Sequence, residues 1–162
     1  MTAQRRELEA WCRGLALVVL LAVAPAAGRA ATTERVVADR FTGLAIAGFD
    51  PVSYFTDARA LPGDAAYELS KEGVIWRFRN EGNRASFAAH PEIYGPQFGG
   101  YDPVDVARGV AYPGNPRLWL VVDQRLYLFG REESRDAFAS APAAVLAEAR
   151  KHWTVLRSEL SQ

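Results

Sequence analysis

Along "GVIWRF" (Gly73–Phe78), Val74, Trp76 and Phe78 alternate with Ile75 and Arg77, the period of a half-buried β-strand. A second β-rich run, "AYEL" (Ala66–Leu69), precedes it, and Ser70-Lys71-Glu72-Gly73 makes a polar turn between the two. The periodicity then becomes helical over "EGNRASFAA". Asn80 is placed as N-cap, and Glu81 sits at the positive end of the helix dipole. His90 precedes Pro91, which forces it out of helical geometry and ends the helix. The same succession returns as "LWLVV" (Leu118–Val122), the turn Asp123-Gln124, "RLYLF" (Arg125–Phe129) and another short helix. A last helix is predicted from about Ala143 to Glu159, with Val145, Ala149, Trp153 and Leu156 on one face. The pattern predicts an α+β fold of two tandem ββα units. Their antiparallel hairpins share one core, and a C-terminal helix follows.

The recurrence extends to particular residues. "GFDPV" from Gly48 returns as "GYDPV" from Gly100, an offset of 52. "LPGD" (Leu61–Asp64) faces "YPGN" (Tyr112–Asn115), and "EGNRASFAAHP" (Glu81–Pro91) faces "EESRDAFASAP" (Glu132–Pro142), both at offset 51. Glu81/Glu132, Arg84/Arg135, Phe87/Phe138 and Pro91/Pro142 align. Motifs kept in order at nearly constant offset mark a tandem duplication. Repeat one is set at residues 44–95, repeat two at 96–142 and the C-terminal helix at 143–159, within a single domain over 31–162.

The first 30 residues read differently. Arg5, Arg6 and Arg13 precede the apolar run "LALVVLLAVAPAA" (Leu15–Ala27), and small residues follow. This is the layout of a secretory signal peptide cut after Ala26 or Ala30; the alternative is a retained membrane anchor. The run is shorter than the roughly 20 apolar residues a spanning helix needs, and Pro25 interrupts it. A periplasmic or secreted location follows, with no stable membrane insertion after cleavage. The single cysteine, Cys12, lies ahead of the apolar run, so a mature chain holds no thiol for a disulfide, a nucleophile or a metal.

Composition adds two exclusions. The 162 residues are 49% apolar and 23% charged, which are globular values, and the formal net charge is +0. That balance offers no basic face for a nucleic-acid partner. No Gly-rich phosphate loop, Ser/His/Asp spacing or His-x-x-x-His is present.

Candidate chemistry gathers at three places. Asp50 and Asp102 each precede proline, which suits an N-cap followed by Pro at the first helical position. They equally suit a carboxylate pair lining a shared cleft. His90 and His152, the two histidines, are both placed at or near helix C-termini. They would bind metal only by converging with Asp50, Asp102 or Glu92. The linker "YGPQFGGYDP" (Tyr94–Pro103) is either a tight connection whose aromatics plug the interior or a backbone that a ligand approaches. In the second case Gly99-Gly100 give access and Gln97 offers an amide. Tyr54, Phe55, Trp76, Trp119 and Tyr127 read as core.

"FRNEGNRASF" (Phe78–Phe87), with "HPEIY" after it and "FDPV" before it, resembles the YHS domain, a small family found in bacterial exported proteins and beside heavy-metal transport ATPases. The resemblance covers Leu44 to Trp153. Metal-associated members of that family carry a Cys just after Asp-Pro-Val and a Cys-x-x-x-Cys pair across the strand-to-helix junction. The matching positions here hold Ser53, Arg79 and Asn83, and in the second copy Asp105, Gly130 and Ser134. The resemblance therefore implies the exported branch of the family, without a thiolate metal site. The expectation is a non-catalytic exported module that binds a small molecule or a protein across the seam between its repeats, without a cofactor. Its candidate contacts are Asp50, Asp102, Gln97, Tyr101, Tyr54 and His90. The alternatives are a metal carrier using Asp and His ligands, and an enzyme using the Asp50/Asp102 pair.

Overall fold

The computed structural model describes residues 35–160. The leader expected over residues 1–30, Cys12 included, lies outside the described residues. Two ββα units follow one another. In the first, the short helix α1 (Ser53–Thr56) leads into strands β1 (Asp64–Lys71) and β2 (Val74–Phe78), helix α2 (Glu81–Ala89) and the single turn α3 (Pro91–Tyr94). In the second, α4 (Pro103–Val106) leads into β3 (Asn115–Val122), β4 (Arg125–Phe129), α5 (Glu132–Ser140) and α6 (Pro142–Glu159). Pro91 and Pro142 open equivalent helices. The first stops at Gly95-Pro96, whereas the second runs on through a sequence with no breaker. His152 consequently lies inside α6, exposed, and not at its C-terminal end; the prediction for it is corrected.

Each hairpin is a two-stranded antiparallel sheet with a register shift at the same place, between Asp64 and Glu68 and between Asn115 and Trp119. Both turns have two central residues in left-handed backbone, Glu72-Gly73 (φ 57 and 77) and Asp123-Gln124 (φ 49 and 56). That geometry matches the right-handed twist of the flanking strands. The duplication reaches finer detail ahead of Asp-Pro-Val. Ile46, Ala47 and Gly48 have φ of 43, 53 and 75, and Phe98, Gly99 and Gly100 have φ of 53, 62 and 89. A β-branched residue rarely adopts this region. Ile46 is held there by burial and by its N–H, which donates to Val37 O at 3.0 Å.

The alternation read along β2 is observed: Val74, Trp76 and Phe78 are buried. Phe87 of α2 packs on Trp76 and Phe78 with ring centroids 4.7 and 5.2 Å away. Phe138 of α5 packs on Tyr127 and Phe129 at 4.9 and 5.3 Å. The interior shared by the units is divided by β4. Leu126 and Leu128 face the cluster of the first unit, while Tyr127 and Phe129 face that of the second. β4 is thus buried on both sides, and each fully buried side chain of this kind is worth about 1.5–3 kcal/mol. The units are further joined by the Tyr54 hydroxyl, which donates to Pro116 O at 2.9 Å, and by the edge of Tyr54 against Trp119 at 5.2 Å. Helix α6 covers the second cluster with Leu146 and Ala149. Among the described residues no helix is long and apolar enough to cross a membrane.

Candidate functional site

The repeated Asp-Pro-Val is a brace in both copies. Asp50 is fully buried. Its Oδ1 accepts the Val52 N–H at 2.8 Å, the local bond expected of a cap. Its Oδ2 accepts the Arg79 N–H at 2.8 Å and an amide hydrogen of Asn83 at 2.6 Å. Asp102 repeats this: Oδ1 accepts from Val104 N at 2.9 Å, Oδ2 from Gly130 N at 2.8 Å. Arg79 and Gly130 are the equivalent residues where strand passes into helix. One carboxylate therefore closes the local turn and pins it to a junction far along the chain. A buried carboxylate is tolerated when its oxygens are hydrogen-bonded in this way. The backbone repeats the scheme, with Asp50 N donating to Leu61 O and Asp102 N to Tyr112 O, each at 2.8 Å.

The residue three past each aspartate differs. Ser53 Oγ lies 2.8 and 2.9 Å from the carbonyl oxygens of Asp50 and Arg59 and donates its single hydrogen to one or the other. Asp105 instead accepts from Arg131 Nη2 at 2.6 and 2.7 Å, and the Arg131 guanidinium lies 5.0 Å from the ring centre of Tyr112.

The other sequence candidates are scattered. Tyr101 is fully buried in the second cluster, 6.0 Å from Trp153. Tyr54 is buried between the units, and desolvation, with the Asp50 charge second, pushes its phenol above the usual range. His90 is exposed at the end of α2, with Nδ1 3.5 Å from Glu92. Among the described residues no group of three or more His, Cys, Asp and Glu is placed to hold a metal ion.

Of the residues singled out in the sequence, Glu92, Gln97 and Gly99 line one cavity. A cleft of about 630 Å³ opens at the seam. Trp76 and Phe87, both nearly inaccessible, close its deep end. Gly95 to Gln97 of the linker form one side, and Trp153 and Arg157 of α6 another. Arg35 and Lys71 also line it. The Nε of Arg35 is buried and has no hydrogen-bond partner among the described residues. Trp76, Phe87 and Trp153 escaped functional notice because buried aromatics at strand and helix spacing are ordinarily core. The pairing of Trp153 with Arg157, four residues apart on one helical face, was the available signal.

Gly99 also meets a demand of the fold itself. A Cβ on Gly99 would lie 1.9 Å from Arg35 O, and Val37 N donates to Gly99 O at 2.8 Å. Gly99 is therefore approached by residues 35–37 of the same chain. The cleft lies beside this crossing, and Gly99 forms part of its wall.

No family model matches the chain, and no match is found among curated proteins or solved structures.

Proposed function

We propose that this chain is an exported, non-catalytic binding module of the YHS type that takes up a small ligand in the cleft between its two units. The observation that carries the reading is the cleft itself: about 630 Å³, closed by Trp76 and Phe87 and bordered by Arg35, Gln97 and Trp153. A concave pocket that joins aromatic side chains to convergent polar groups is a common form of small-molecule site. The state of Asp50 and Asp102 favours a binder over an enzyme built on that pair, because both oxygens of each carboxylate already accept hydrogen bonds. The YHS reading draws support from the place where the family's metal-associated members carry cysteines. Ser53, Arg79 and Asn83 meet around Asp50, where hydrogen bonds fill the space that a thiolate site would need.

Screening the full-length chain by thermal shift against a small-molecule library tests the binding reading, since a ligand of the native state must raise the melting temperature. Hits should lose their effect in Gln97→Ala and Trp153→Ala proteins that remain folded. Hits that persist in both variants would place binding elsewhere. Export is tested by sequencing the N-terminus of cell-fractionated protein. A start near Ala27 or Ala31 in the soluble fraction is expected; an intact start in the membrane fraction would mean an anchor.

A further inference from the structure

We propose that the ligand of the seam cleft is a small aromatic carboxylate. The inference rests on the cleft being the binding site and concerns what chemistry the cleft selects.

Charge gives the first argument. Arg35, Lys71 and Arg157 line the cleft against the acids Glu72 and Glu92. Glu92 already has a neighbour in His90, 3.5 Å away. Among the described residues neither Arg35 nor Arg157 takes part in an ion pair. Arg35, Trp153 and Arg157 recur together in a second, shallower hollow bordered by Thr154 and Ser158. Two unpaired guanidiniums thus accompany one indole where the two hollows meet. Guanidinium is the side-chain group whose planar fork matches a carboxylate, and its hydrogen bonds to an anion are the strong, charge-assisted kind.

The orphaned atom gives the second. Arg35 Nε–H is shielded from solvent and bonded to nothing among the described residues. A buried donor left unmade is costly, and a turn of the Arg35 side chain toward an acceptor brought by a ligand removes that cost. Arg35 is the natural anchor for a carboxylate oxygen, with Arg157 as the second, more exposed cation.

Shape gives the third and favours an organic ligand over a bare inorganic anion. The cleft, at about 630 Å³, falls within the roughly 300–1,000 Å³ typical of organic-ligand sites. Its deep end is the pair Trp76 and Phe87, with ring centroids 4.7 Å apart, and Trp153 stands at its side. Aromatic walls favour a flat ring packed in offset or edge-on geometry. An apolar ring against the aromatic side chains and a carboxylate against Arg35 and Arg157 meet both demands.

The test uses three aromatic probes of matched size, and acetate, on the full-length chain, read by isothermal titration. Phenylacetate should bind about tenfold or more tighter than neutral 2-phenylethanol or cationic 2-phenylethylamine, and acetate should bind least, because it lacks the ring. Arg157→Gln and Arg35→Gln should each weaken phenylacetate about tenfold or more while leaving 2-phenylethanol nearly unchanged. Arg157 is exposed, so that variant tests the charge even if Arg35→Gln disturbs the fold. Equal binding of all three aromatic probes, lost in Trp153→Ala, would overturn the anionic preference and leave the cleft as a binding site. No response to any probe, with a library screen also silent, would overturn both.

Discussion

The backbone N–H of Gly130 donates to Asp102 Oδ2 at 2.8 Å across 28 residues of chain, and Arg79 makes the same bond to Asp50 across 29. Pro and Val complete the local turn beside each aspartate, but the carboxylate itself is kept for its second oxygen. That oxygen ties the turn to the start of the following helix. The two bonds are the duplicated feature on which each unit closes.

Asparagine is therefore a poor substitute at both sites. A carboxylamide puts an NH₂ against an N–H that needs an acceptor, so Asp102→Asn should cost about 1–3 kcal/mol. Asp102→Ala should cost about 2–4 kcal/mol, since it removes the cap and leaves a buried N–H unmatched. Urea denaturation of both variants checks this. A silent Asp102→Asn would mean that the Oδ2 bond contributes nothing.

Leu126 belongs to the second unit by sequence and to the first by packing. Leu126→Ala should cost about 2–5 kcal/mol, as buried leucine truncations do. Because β4 joins the two clusters, the domain should still melt in one calorimetric transition. A variant whose two units melt separately would show that β4 does not couple them.

Gly99 combines a φ of +62 with a carbonyl, Arg35 O, where a Cβ would stand. Gly99→Ala should push residues 35–37 off the linker. The measurement is hydrogen exchange at the Val37 amide, which donates to Gly99 O at 2.8 Å. Exchange should accelerate strongly in the variant and remain slow in β4. Unchanged protection at Val37 would contradict the crossing.

Much of this architecture was legible in the sequence because it rests on short-range patterns. The alternation of Val74, Trp76 and Phe78, the Asn80 cap and the Phe87/Phe138 equivalence needed no knowledge of distant contacts. What was hidden depends on tertiary partners. Ile46 and Phe98 give no local sign of left-handed backbone, since their side chains disfavour it; burial and the residue 35–37 crossing hold them there. The burial of β4 on both faces required knowing that Leu126 and Leu128 meet the first unit. The cleft was hidden for the same reason. Trp76, Phe87 and Trp153 have the spacing of core residues, and only their assembly leaves a hollow between them.

Tyr54 makes alkaline stability informative. Burial first, and the Asp50 charge second, raise its phenol above the ordinary 10.0, with Arg117 acting the other way. The unfolded chain then releases this proton before the folded one does. The stabilisation is complete below about pH 10 and is lost as pH rises beyond it. Tyr54→Phe should cost about 0.5–1.5 kcal/mol at neutral pH, through the lost bond to Pro116 O, and should flatten the alkaline decline. Urea midpoints at neutral pH and at about pH 11 decide it. An alkaline decline as steep in Tyr54→Phe as in the parent would contradict this assignment.

The most direct test of the cleft as the site of an aromatic carboxylate is a titration of the full-length chain with phenylacetate, followed by the indole N–H resonances in ¹H–¹⁵N spectra. Trp76 and Trp153 line the cleft, whereas Trp119 sits against Tyr54 outside its lining. Saturable shifts of the Trp76 and Trp153 resonances, with Trp119 unmoved, are the predicted result. Shifts centred on Trp119, or none at all three indoles, would contradict it.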